Sequence, residues 1–266
     1  MIIEQPDAAD RKEIERLWRT TFGDGDDFLI PYFSHLYEEK DCRVLRTDTC
    51  RVASFVHVIP MVLHARHHPF GNPDVQNRTF SDAALENQRS RTQIKKEGGC
   101  ERSRFFSVGY VFGLMTHKDF RNRGLASLLL KTVMKEERNR GTDFLLLLPA
   151  SLSLRSYYAQ RGFRPVLFNS TVPVRSILTD TPYSEYRDFE MNSNENCLVI
   201  SEKQYRTVMD CASREGLSSL SLYDDARAAS SHSKDVIPRA MACCLNASEN
   251  DFTLLEQAAG NLLMDV

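Results

Sequence analysis

The stretch Val111-Phe-Gly-Leu-Met-Thr-His-Lys-Asp-Phe-Arg-Asn-Arg-Gly-Leu-Ala126 decides how this chain is read. It has the pattern of a strand, a short polar turn, and an arginine- and glycine-bearing loop that opens a helix. The helix is expected from Gly124 to Arg140. Leu125, Leu129 and Val133 form one stripe and Ala126, Leu130 and Met134 the next, the spacing of a buried face. Amides at a helix start have no partner inside the helix and carry the positive end of its dipole, so the loop is a potential phosphate cradle. Gly124 lets a ligand approach the backbone closely, Ala126 keeps the next approach small, and Arg121 and Arg123 add cationic charge.

Upstream, Arg104–Met115 reads as the long strand that feeds this motif. Downstream, Gly141 stops the helix, and the unbroken apolar run in Asp143–Pro149 predicts a strand buried on both faces, a parallel neighbour in mid-sheet. Strand, helix and strand together make a βαβ unit. Ser151 or Ser153 then caps a helix through Leu154, Tyr157 and Tyr158. Gly162 ends it, and Phe163–Phe168 starts a further strand.

Toward the N-terminus, Ile2–Gln5 is a short strand and Asp7 with Asp10 mark a helix start. Ile14, Leu17, Trp18 and Phe22 follow at helical spacing. A second helix with an aromatic face follows the acidic turn Gly23–Asp27, with Pro31 placed in its first turn. That turn, with Asp24, Asp26 and Asp27, reads as a solvated loop with capping duties rather than an amine site. Arg43–Asp48 and Arg51–Ile59 read as a hairpin, running on to His64 with an edge or bulge at Pro60. Residues 64–103 lack any sustained apolar period and are expected to be a flexible insertion.

Composition narrows the classes. The chain has 266 residues, 42% of them hydrophobic, and a formal net charge of −2. That argues against nucleic acid and against an acidic membrane surface. No apolar run is long enough to span a bilayer, and the opening residues do not resemble a signal peptide. The seven cysteines are scattered without a CxxC pair, so reduced thiols and a cytoplasmic location are expected. His64, His67 and His68 have no acidic or cysteine partner at a useful spacing, so no metal is expected.

Two motifs together carry a family resemblance. Arg121-Asn-Arg-Gly124-Leu-Ala126 is similar to the Arg/Gln-x-x-Gly-x-Gly/Ala loop of the GNAT superfamily of acetyl-CoA-dependent N-acetyltransferases, and Tyr158-Ala-Gln-Arg-Gly162-Phe163 to its Tyr-x-x-x-Gly-Phe element. The resemblance covers roughly residues 2–168 and is strongest from 105 to 165. It implies an α/β (α+β) fold: a mixed, mostly antiparallel twisted sheet flanked by helices, with a central βαβ unit. It also implies a GNAT domain over 1–172 and a smaller C-terminal lobe over 173–266, akin to the degenerate second copy that some larger bacterial members carry. By the same resemblance, acetyl-CoA is the co-substrate. Its pyrophosphate would meet Arg121, Asn122, Arg123, Gly124, Leu125, Ala126 and Ser127, and its pantetheine arm the strand edge Leu114, Met115 and Thr116. Tyr158 would be the general acid for the departing thiolate.

Two departures from the family stand out. Ser151 sits where many members have an asparagine, and no glutamate lies between Arg104 and Met115 to act as base. His57, Tyr110 or a water chain are the substitutes, with His57 the candidate base because an unperturbed imidazole titrates near neutrality. His117 is expected to be structural or a neighbour of the cofactor. The functional expectation is acetyl transfer to a primary amine, in a small molecule or a peptide, by direct attack in a ternary complex. The rival is an acyl-CoA-binding sensor or scaffold that turns over weakly. In the C-terminal third, Ser201 with Gln204 is a capping box, and the region is expected to complete the acceptor cleft or to form an oligomer contact.

Overall fold

A computed structural model describes residues 1–48, 51–66, 103–166, 175–178, 180–192, 196–216, 219–222 and 240–256. The 64–103 insertion therefore lies almost wholly outside the described residues; only the strand ends that flank it are seen.

The strands are β1 Ile2–Glu4, β2 Cys42–Arg46, β3 Val52–Arg66, β4 Ser103–Thr116, β5 Phe144–Leu147, β6 Arg164–Val166, β7 Arg175–Leu178, β8 Cys197–Val199, β9 Ser219–Leu222 and β10 Ala240–Cys244. The main sheet has the order β1-β2-β3-β4-β5-β10-β6, with β8 also pairing β3, while β7 and β9 form a separate pair. Every pairing is antiparallel except β4 with β5. The helices are α1 Arg11–Thr21, α2 Asp26–Pro31, α3 Leu125–Arg140, α4 Leu152–Ala159, α5 Tyr183–Asn192, α6 Glu202–Arg214 and α7 Glu249–Glu256. The mixed sheet with a central β4–α3–β5 unit is as the resemblance implies.

Strand alternation builds two cores, one on each face of the sheet. Phe55, Ile59, Met61, Phe106, Val108, Tyr110, Phe144 and Leu146 pack with Trp18, Leu29, Tyr32, Tyr205 and Phe252 on the α1, α2, α6 and α7 side. Val56, Val58, Val111, Leu145 and Leu147 pack with Leu129, Leu130, Val133 and Tyr158 on the α3 and α4 side. The apolar run of β5 is buried on both faces, as its sequence requires.

Local expectations meet two corrections, while the edge expected at Pro60 is found. Pro60 does not break β3 and lies opposite Gly109 of β4. Its other flank falls between His57, the end of the β2 pairing, and Val62, the start of the β8 pairing, where an amide has no strand to serve. The bulge is instead at Phe55/His57, where Gly113 and Leu114 of β4 oppose Val56 alone. Pro31 is at the end of α2, not in its first turn, and the chain passes into a π-helical turn over Tyr32–Leu36, closed by the Tyr37 amide on the Tyr32 carbonyl at 2.9 Å.

The C-terminal third is woven into the main sheet. β10 lies between β5 and β6, and β8 adds to β3. The boundary drawn at 172/173 is therefore not a boundary of the sheet. Ala240, Met241, Ala242 and Cys243 are buried, which gives β10 the small apolar character of a strand covered on both faces. The capping box forms as expected, with the Ser201 and Gln204 side chains each taking the other's backbone amide.

Candidate functional site

β4 and β5 are paired only through Val108↔Phe144, Gly109↔Leu145 and Tyr110↔Leu146. β4 then runs on to Thr116, while β5 ends at Leu147 and the chain turns away at Pro149. The divergence opens a cleft of about 430 Å³. One wall is Tyr110–Leu114 of β4, the other Leu147–Ala150 with Leu154, Arg155 and Tyr158 of α4. Trp18, Phe22, Asp24 and Phe28 of the first two helices and their turn close the far side.

The bulge shapes this cleft. Gly113 has φ +62°, a left-handed backbone that L side chains rarely adopt, and a Cβ there would stand 2.5 Å from the Trp18 ring. The extra residue resets the alternation, so that Phe112 and Met115 both pack on the α1 side while Leu114 packs on the α3 side. Trp18 stacks against the strand beside Phe112, with ring centroids 5.2 Å apart.

Next to the cleft, Lys118–Phe120 forms a single 3₁₀ turn whose Asp119 amide is accepted by the His117 side chain. Asn122 and Gly124 are both left-handed, at φ 61° and 76°. The first amide to bond back into α3 is that of Leu128, to the Gly124 carbonyl at 3.0 Å, so those of Leu125, Ala126 and Ser127 have no partner in the helix. Arg121, Asn122, Arg123 and Gly124 are exposed. Arg121 donates from Nε to the Thr116 carbonyl at 3.1 Å, and the Arg123 guanidinium lies 5.4 Å over the Phe120 ring. The loop thus joins the end of β4 to a helix start with free amides and two cations, an arrangement suited to a pyrophosphate.

The two tyrosines of α4 part ways. Tyr157 bonds the Ser127 hydroxyl at 3.0 Å, and Arg161 stacks 3.5 Å over its ring while donating to Ser127 Oγ at 2.6 Å. Tyr157 is thus tied to α3. Tyr158 lines the cleft at 7% exposure, and its hydroxyl has no hydrogen-bond partner among the described residues. Burial is the main cause that pushes its pKa up to about 12, so the phenol keeps its proton throughout the neutral range.

Residues 102–166 match the family model described as an acetyltransferase (GNAT) domain. The match covers about a quarter of the chain, the segment that holds both motifs. No curated protein sequence matches it. Solved structures similar to it include a GCN5-related N-acetyltransferase from Anabaena variabilis, at 10% identity and TM-score 0.48, covering 78% of this chain and 47% of that one. Eis1 from Mycobacterium abscessus aligns at 8% identity and TM-score 0.48, covering 77% and 46%. The Escherichia coli GNAT protein YhbS, solved in complex with CoA, aligns at 17% identity and TM-score 0.39, covering 61% and 68%. The chain spans about half the length of the first two.

Of the GNAT site residues expected from sequence, Tyr158 and Leu114 line the cleft, Arg121–Gly124 form the loop after β4, and Leu125 and Ala126 begin α3, with the Leu125 side chain buried against Leu45 and Ala53. Met115 is buried in the α1-side core, Thr116 shares a 3.0 Å hydrogen bond with Ser54, and Ser127 is engaged by Tyr157 and Arg161. His57 is not brought to the cleft. It is 1% exposed, its Nδ1 lies 3.1 Å from the Tyr32 hydroxyl, and burial lowers its pKa to about 3. Sequence reasoning set Asp24 aside as part of a solvated loop and Phe28 as core packing, and left out Arg155; all three line the cleft. Asp24 accepts from the Trp18 indole N–H at 2.6 Å, which takes it out of the solvated acidic turn it was expected to share with Asp26 and Asp27. The signal was thin: a carboxylate near the only tryptophan of the chain. No group of His, Cys, Asp and Glu suited to a metal occurs among the described residues, nor any helix long and apolar enough to cross a membrane.

Proposed function

We propose that this protein transfers an acetyl group from acetyl-CoA to a primary amine by direct attack in a ternary complex. The observation that supports the reading is the divergence of β4 from β5, lined by Tyr158 with an unpartnered phenol, with β4 leading past that divergence into the αL loop and the free amides of α3. Arg121, Arg123 and the loop amides hold the pyrophosphate, and the β5-facing edge of β4 from Val111 to Leu114, past the last pairing at Tyr110, offers backbone groups to the pantetheine amides.

The amine nitrogen attacks the thioester carbonyl. The C–N bond forms, the C–S bond breaks, and the proton lost by the amine passes to water. Tyr158 is the donor to the departing thiolate sulfur and regains its proton from solvent. A phenol held near 12 serves as a donor rather than a base at neutral pH.

A second reading, an acyl-CoA-binding sensor or scaffold, draws support from the lack of any carboxylate between Arg104 and Met115 and from the burial of His57. Following free thiol with acetyl-CoA and a panel of amines separates the two. Amine-dependent thiol release is the expected result; CoA binding with no thiol release for any amine would leave only the sensor.

A further inference from the structure

We infer that Asp24 is the anchoring carboxylate of the acceptor end of the cleft, and that the acceptor is a primary ammonium carried on an apolar or aromatic skeleton. This rests on the acetyltransferase reading above and adds to it the chemistry of the acceptor.

The inference starts from the bulge. Gly113 brings β4 against the Trp18 ring so closely that no side chain fits between them. Trp18 is 2% exposed, fixed by Tyr32 at 4.8 Å and Phe112 at 5.2 Å between ring centroids, and its indole N–H fixes Asp24 Oδ2 at 2.6 Å. A chain of contacts therefore runs from the strand at the divergence, through the indole, to one oxygen of a carboxylate that lines the cleft. The other oxygen, Oδ1, has no partner among the described residues.

The surroundings select what that oxygen receives. Phe22, Phe28 and Phe112 line the cleft with Trp18, and Phe22 is 41% exposed. An aromatic wall beside one carboxylate suits a cation on an apolar frame, which gains a charge-assisted hydrogen bond and ring-face attraction together. The other acids of the turn are not in the cleft, and Asp26 is engaged with Arg19. Across the cleft the one cation is Arg155 of α4, with no ion-pair partner among the described residues. Asp24 is thus the sole carboxylate among the described residues that line the cleft.

Trp18 is also the only tryptophan in the chain, so intrinsic indole fluorescence reports this end of the cleft alone. Titrating the full chain with 2-phenylethylamine is expected to give a saturable fluorescence change. The neutral isostere 2-phenylethanol, and Asp24→Asn titrated with the amine, should each bind at least about tenfold more weakly, while Asp24→Glu, which keeps the charge, recovers part of the affinity. No saturable change with the amine, equal affinity for amine and alcohol, or unchanged affinity in Asp24→Asn would each overturn the inference. The amine and alcohol comparison uses the natural protein, so it decides even if the variants fold poorly. None of these readings needs turnover, so they stand apart from thiol release, which tests the acetyltransferase reading itself.

Discussion

The proposed mechanism rests its proton donation on one hydroxyl, that of Tyr158. Tyr158→Phe removes that hydroxyl and leaves its packing against Phe163 and α3, so kcat is expected to fall about a hundredfold or more while the KM for acetyl-CoA changes little. Steady-state kinetics with both substrates varied checks this split. His57 belongs to stability instead. Its folded pKa, lowered to about 3, lies below the unfolded value near 6.5. Between those values the unfolded chain binds the proton and the folded chain does not, so His57 makes the protein lose stability as pH falls from about 6.5 toward 3. In His57→Gln, urea unfolding at stepped pH should show a shallower loss over that window. Gly113 combines a positive φ with a Cβ position 2.5 Å from Trp18. Gly113→Ala should therefore displace the indole, lowering stability by about 1–3 kcal/mol and shifting the fluorescence of Trp18. The tyrosine was legible because a motif marks it. His57 was not, because its residue type suggests a base and only the Tyr32 hydroxyl and the surrounding core show otherwise.

Among elements, the β4–loop–α3 segment was legible almost whole. Its strand, turn and helix are local patterns, and Gly124 and Gly141 stand at left-handed caps where periodicity stops. The expected consequence is charge-dependent cofactor binding. Arg121→Ala and Arg123→Ala together should raise the KM for acetyl-CoA severalfold, with the difference from the natural protein shrinking as salt is added, since both cations are exposed. Initial rates at two ionic strengths test it. The bulge within β4 was not legible, because it is defined by register against β3 and not by any local breaker. The far wall of the cleft was misjudged for a related reason. Asp24, Phe28, Phe112 and Arg155 lie on separate elements, and only packing across the sheet brings them to one cleft. The α5 helix was missed too, since Tyr183–Asn192 is too polar to show a clear apolar stripe.

At the scale of the molecule, the C-terminal third completes the sheet. β10 bridges β5 and β6, so a chain ended at residue 172 would leave both strands with unpaired edges and expose Leu145, Leu147 and Phe163. Such a chain is expected to be insoluble or to lack cooperative unfolding, as circular dichroism melting would show. Sequence alone placed a separate lobe there because a short strand gives no sign of which distant strand it will pair with; the pairing is decided by non-local burial. The proposed acyl-CoA site, by contrast, is assigned to the place where the parallel pair parts in mid-sheet, between two motifs that local reading found. A crystal structure of the protein with CoA tests that placement most directly. The account predicts pyrophosphate on the Arg121–Ser127 loop, pantetheine between β4 and β5, and the thiol within hydrogen-bond reach of the Tyr158 hydroxyl. CoA bound elsewhere, or a thiol remote from Tyr158, would contradict it.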